Sequence, residues 1–204
     1  MEPKKLASNK WVIILLILTL IYTGCERDYT PKPKGYPRVF LPEKSYVTFD
    51  IEECPFTFQY AAYSEIDRNV SFFNMGEGID CWLDIKYPAF QGTIHLSYKP
   101  LNDSIKLSSL LDDTHFLTFK HTVKADYIDE GYISTANNVF GLYYDVGGNA
   151  ASPFQFFLTD SVNHFLRGAL YFYTTPNVDS LKPIIEFVKV DIYKFIDTFE
   201  WKDK

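Results

Sequence analysis

The sequence predicts an α+β domain, a largely antiparallel sheet with helices packed on it, and three observations carry that prediction. Short segments alternate apolar and polar residues with a period of two. Two longer segments repeat apolar residues at helical spacing. The order along the chain is strands, a helix, more strands joined by hairpin-type turns, and a closing helix. A three-layer α/β/α sandwich is one arrangement of those pieces.

The strands come first. "CPFTFQY" puts Phe56, Phe58 and Tyr60 on one face and Thr57 and Gln59 on the other. "CWLDIKY" sets Leu83, Ile85 and Tyr87 against Trp82, Asp84 and Lys86, and "GTIHLSY" sets Ile94, Leu96 and Tyr98 against Thr93, His95 and Ser97. The Asn102-Asp103-Ser104 cluster is a helix-start signal, and Leu107, Leu110, Leu111 and Leu117 follow at helical spacing, so the expectation is a helix over 104–124. "YIDEGYIST" and "NVFGLYYDVGG" flank Ala136-Asn137-Asn138, a hairpin turn. "SPFQFFLTD" and "HFLRGALYFYT" flank Ser161-Val162-Asn163, a second one.

In the last of these segments Phe165, Ala169, Tyr171 and Tyr173 face one way and Leu166, Leu170 and Phe172 the other. A strand that is apolar on both faces needs a layer on each side. A sheet covered on both faces leaves a ligand only edges or loops. "DSLKPIIEFVKVDIYKFIDTFEW" closes the chain as a long helix whose stripe runs Leu181, Ile184, Ile185, Val188, Ile192, Phe195, Ile196, Phe199, with Pro183 in the first turn. By order of elements alone, the domain resembles the PsbP/Mog1 type of fold.

The N-terminal stretch "WVIILLILTLIYTGCERD", residues 11–28, fixes the compartment. Its apolar run is too short for a span of roughly 20 residues but fits the h-region of a signal peptide, with Lys4, Lys5 and Lys10 as the basic n-region. Tyr22-Thr23-Gly24-Cys25 resembles a lipobox, small residues ahead of a cysteine, with Tyr22 in place of the usual Leu. The expectation is a lipoprotein signal over 1–24, cleavage before Cys25 and a diacylglycerol on its sulfur. An uncleaved short anchor is the alternative.

Residues 25–42 follow as a tether. Pro31, Pro33, Pro37 and Pro42 exclude a helix and favour extended polyproline II. Lys32, Lys34 and Arg38 make it basic, suited to anionic headgroups or simply to solvent. Residues 43–204 form one globular domain, long enough for a proper core.

Charge excludes one class of partner. The formal net charge is −6, and removal of residues 1–24, with three lysines and one glutamate, leaves −8. Nucleic acid needs a positive field that this chain lacks. With lipid on Cys25, Cys54 and Cys81 remain, and a bridge between them would close a loop of about 27 residues. Two buried free thiols are the other reading.

Motifs of catalysis are missing: there is no GxSxG, HExxH, P-loop or GxGxxG, and no cofactor or metal is expected. "GEG", Gly76 to Gly78, reads as a turn. His95 lies on the polar side of a strand and reads as solvent-facing. One constellation remains, "LTDSVNHFLRG", where Asp160, Asn163, His164 and Arg167 gather in or near a hairpin. It is either an interaction or ligand site, or a structural cluster in which Arg167 pairs with Asp160 or a neighbouring acid.

Several segments also carry a resemblance. "CERDYTPKPKGYPRVFLP", "CPFTF", "CWLDIKYP", "GTIHLSYKP", "FKHTVKA", "NVFGLYYDVGGNAASPFQFFLTDS" and "HFLRGALYFYTTPNVDSLKPIIEFVKVDI" resemble the GldD family of gliding-motility lipoproteins over nearly the whole mature chain. The resemblance implies a non-enzymatic envelope lipoprotein, needed for assembly or stability of the gliding and type IX secretion apparatus. It implies partners among other lipoproteins of that machinery, such as GldJ. It supplies no catalytic residue, only Cys25 as lipid acceptor. The residues after Cys25 lack a strong acidic run, which points to a periplasm-facing protein. A small-ligand-binding lipoprotein using the hairpin from Asp160 to Arg167 is the competing reading, and a cryptic enzyme a third. An apolar pocket with converging polar groups would favour the binder.

Overall fold

The structure, a computed structural model, describes residues 11, 13–15, 39–68, 81–174 and 177–202. The chain divides into two compact units, Met1–Pro37 and Arg38–Lys204. In the first, Trp11 and residues 13–15 are helical. Cys25, residues 26–38 of the tether with Lys32, Lys34 and Arg38, and Gly76 to Gly78 lie outside the described residues.

The second unit is α+β, as the alternation predicts. Its elements are β1 (Tyr46–Asp50), β2 (Phe56–Ala61), β3 (Glu65–Asp67), β4 (Leu83–Tyr87), β5 (Gly92–Pro100), α1 (Leu107–Phe119), β6 (Ala125–Ser134), β7 (Phe140–Gly148), β8 (Phe154–Thr159), β9 (His164–Phe172), α2 (Val178–Thr198) and β10 (Glu200–Trp201). Among the described residues every strand pairing is antiparallel. Seven strands form one sheet in the order β3-β4-β5-β9-β8-β7-β6, and β1-β2-β10 form a small second sheet. No described helix is long and apolar enough to cross a membrane.

Both expected hairpins form. β6 and β7 join through a turn with Asn138 at φ 56°, and β8 and β9 through one with Ser161 at φ 69°. Asparagine tolerates that left-handed backbone better than most residues.

The first helix begins later and ends earlier than its sequence suggests. The Asn102 side chain accepts the Ser104 and Ile105 backbone N–H groups at 2.9 and 2.8 Å, and Asn102 and Ile105 exchange backbone bonds at 3.1 and 3.2 Å. The cap cluster is spent on a closed turn ahead of α1. Residues Lys120–Val123 then tighten into a 3-10 turn. α2 starts behind an Asn177 cap, so Pro183 falls in its second turn, not its first. Residues 200–201 leave the helix and become β10.

The large sheet has two unlike faces. One packs on α2 and the small sheet, burying Phe56, Phe58, Leu83, Ile85, Phe156, Leu166, Leu170, Ile192 and Phe199 in a single cluster. Gly168 of β9 belongs to this face; a Cβ there would lie 2.2 Å from the Phe156 ring. A Cys54–Cys81 disulfide, Cα atoms 5.5 Å apart, ties the entry of β2 in the small sheet to the entry of β4 in the large one. On the chain-entropy estimate it is worth roughly 3.5 kcal/mol. The other face packs on α1 through a smaller cluster of Leu110, Tyr144, Val146, Phe157 and Phe165.

Candidate functional site

The predicted constellation from Asp160 to Arg167 comes apart across the sheet. Asp160 Oδ1 accepts the backbone N–H groups of Val162, Asn163 and His164 at 3.0, 2.8 and 2.8 Å, which builds the turn. Burial pushes its carboxyl up, but these N–H donors outweigh burial and hold it below the ordinary carboxylate range. The Asn163 carbonyl accepts the Leu101 N–H at 2.8 Å. His164 bonds the Tyr98 hydroxyl at 2.8 Å and stacks on Trp201, ring centroids 4.9 Å apart.

Arg167 is three residues past His164, so period-two alternation sends it to the opposite face. It pairs with neither Asp160 nor another carboxylate among the described residues. Its Nη2 donates to Gln155 Oε1 at 2.5 Å. The turn is therefore structural for Asp160, and Arg167 belongs to a different place.

That place is a groove on the α1 face. Strand register puts Asp84, His95, Ala169 and Gln155 in one row across β4, β5, β9 and β8, and Ser97, Arg167 and Phe157 in the next. α1 contributes Leu110, Asp113, Thr114 and Leu117 as a side wall, leaving about 540 Å³ open over this part of the sheet. The small side chain of Ala169 sits in the middle of the lining. The expectation that layers on both faces exclude a pocket fails here, because one thirteen-residue helix cannot cover seven strands. His95 is not simply solvent-facing: its Nδ1 and the buried Asp84 Oδ1 share a hydrogen bond at 2.6 Å. Burial lowers the Arg167 guanidinium pKa.

A third cluster joins the segment just ahead of β1 to α2. Lys44 Nζ donates to Asp191 Oδ1 at 2.7 Å, to the Tyr63 hydroxyl at 2.9 Å and to the Phe187 carbonyl at 2.7 Å. It also lies 3.3 Å from the Phe187 ring centroid. Asp191, buried on α2, accepts from Tyr46 at 3.1 Å and from Tyr63 at 2.7 Å. Burial first, and then the Asp191 charge, push the Tyr46 hydroxyl up to about 12. Val39 packs on the main core just ahead of this cluster, whereas Phe40 beside it is exposed.

Residues 26–201 match the family model for gliding motility lipoprotein GldD. The chain belongs to this family. The resemblance read from the sequence segments is thereby borne out. Comparison with curated proteins gives no match. Among solved structures, the chain is similar to cyanobacterial PsbP (CyanoP) from Synechocystis sp. PCC 6803. Identity is 11% and the TM-score 0.44, over 81% of this chain and 97% of that one. Membership of the GldD family makes the protein a gliding-motility-related lipoprotein and so associates it with a membrane.

Two features of this GldD-family chain had no flag in the sequence. The groove needs α1 to sit over one half of a sheet, which no local pattern reports. Lys44 and Asp191 are 147 residues apart, and each looks like an ordinary surface charge. The separation of His164 from Arg167 was readable, since residues three apart on a strand face opposite ways. Among the described residues, no three His, Cys, Asp or Glu side chains are placed to hold a metal ion.

Proposed function

We propose that this GldD-family protein is a non-enzymatic, lipid-anchored envelope protein that supports assembly or stability of the gliding-motility and type IX secretion apparatus. The family match over residues 26–201 carries the reading. The matched segment opens one residue past Cys25, the proposed lipid acceptor. The acyl chain and the basic tether hold the domain on the periplasmic face of a membrane and raise its effective concentration near other machinery lipoproteins. Lys44, fixed to α2 through Asp191, sets where the tether leaves the domain.

Docking falls to exposed backbone and aromatics. β6 is the edge strand of the large sheet, with Tyr127 and Tyr132 exposed, the latter at 92%. An unpaired edge is a ready template for a partner strand. Asp126, Asp129 and Glu130 on the same strand guard it against its own copies.

The test compares Cys25→Ala with a combined His95→Gln and His164→Gln variant in the native host. Fatty-acid labelling, protein level, colony spreading and secretion are read together. The expected result is loss of label and of apparatus function in Cys25→Ala, with normal function in the histidine variant. Persistent label in Cys25→Ala would remove the anchor. A folded, anchored histidine variant that fails in motility and secretion would replace docking with chemistry at those residues.

A further inference from the structure

We propose that the groove between α1 and the β4-β5-β9 part of the sheet binds a small amphiphilic carboxylate, its head on Arg167 and its apolar body on the aromatic wall. The site is separate from the β6 edge and does not depend on the docking role.

The walls supply the body's environment. Phe165 and Tyr171 come from β9, Trp82 from the residue just ahead of β4, and Leu110 and Leu117 from α1. The space, about 540 Å³, falls within the range of small-ligand pockets, roughly 300–1,000 Å³. Ala169 keeps the floor low between the rows that carry Arg167 and Tyr171.

The polar groups are unequally satisfied, and that inequality selects the head group. Asp84 is engaged by His95. Asp113 also lines the groove, but from its exposed rim, where solvent screens its charge. Arg167 has no carboxylate among the described residues; Gln155 takes one of its N–H groups, and its buried Nε has no acceptor. The Gln155 Nε2 is likewise buried without an acceptor. Lys99, on the same face of β5 two residues beyond Ser97, adds a second cation to the lining. A half-buried guanidinium whose hydrogen-bond partner is a neutral amide is costly unless an anion joins it. Its charge is felt nearby: after burial, Arg167 is the other cause lowering the pKa of His121. A planar carboxylate fits the guanidinium fork, and the aromatic wall fits a flat apolar body.

The experiment is isothermal titration calorimetry on the lipidated full chain in nanodiscs, with empty nanodiscs as the blank. The probes are 1-naphthoate and its uncharged counterpart 1-naphthylmethanol. One saturable naphthoate site is expected, with the alcohol bound about tenfold more weakly or worse. Arg167→Gln should remove that preference while leaving the alcohol's affinity unchanged. Leu117→Glu, an exposed change on the groove wall, should weaken naphthoate about tenfold with far-UV circular dichroism unaltered. Because Leu117 lies at the surface, this arm holds even if Arg167→Gln fails to fold. No naphthoate binding at millimolar concentration overturns the proposal. So does equal affinity for the acid and the alcohol, or naphthoate binding that a folded Leu117→Glu variant leaves untouched.

Discussion

The two faces of the seven-stranded sheet are built differently. The α2 face buries phenylalanines and branched aliphatics against a 21-residue helix and a second sheet. The rings of Phe49, Phe56, Phe58, Phe195 and Phe199 pack there in stacked and tilted pairs with centroids between 4.4 and 6.4 Å. The α1 face buries Gln155, Thr114 and Thr118 beside its apolar residues and leaves a groove over β4 and β5. The fold is held on one face, which frees the other to carry polar groups that a tight core would exclude.

Truncation should expose the difference most strongly. Phe58→Ala, at the centre of the α2 face, should cost about 3–5 kcal/mol in urea unfolding. Leu117→Ala, already exposed on α1, should cost below about 1 kcal/mol. Similar values would erase the contrast.

Reduction of Cys54–Cys81 tests the same face from its margin. The bridge joins the small sheet to the large one, so its loss should lower stability by about 3.5 kcal/mol. Trp201, in the small sheet, should report that loosening by fluorescence before α1 changes. Free thiols in protein taken from the envelope would rule the bridge out.

The smallest effect is a pH dependence on the α1 face. His121 follows α1, and burial, then the Arg167 charge, lower its pKa. The unfolded chain therefore binds this proton more readily than the folded one. Stability is whole above the ordinary histidine value near 6.5 and falls as pH drops from there to the lower folded value. Nuclear magnetic resonance titration should place His121 below 6.5, and Arg167→Met should move it up. An unmoved His121 would detach it from the groove's charge.

Legibility followed the same divide. The α2-face strands alternate cleanly, and the stripe from Ile185 to Phe199 is long, so both were readable from the sequence. β1, β3 and β10 were missed because two to five residues carry too little pattern. The start of α1 was misplaced because Asn102 serves a turn as readily as a helix cap. Of the candidate site, the local part was legible: Asp160 and Asn163 do shape the hairpin. The Arg167 partner was not, since Gln155 is set by β8-β9 register and α1 placement, neither of which is local.

Native-state hydrogen exchange separates the two faces most directly. Amides of α2 from Val188 to Ile196 should exchange only through global unfolding, because that helix buries a full apolar stripe. Amides of α1 from Leu110 to Thr118 should exchange through a smaller opening, at a free energy clearly below the global value, because that helix buries only Leu110, Thr114 and Thr118. Equal protection of the two helices, falling together with denaturant, would contradict the division of the sheet into a face that holds the fold and a face left open.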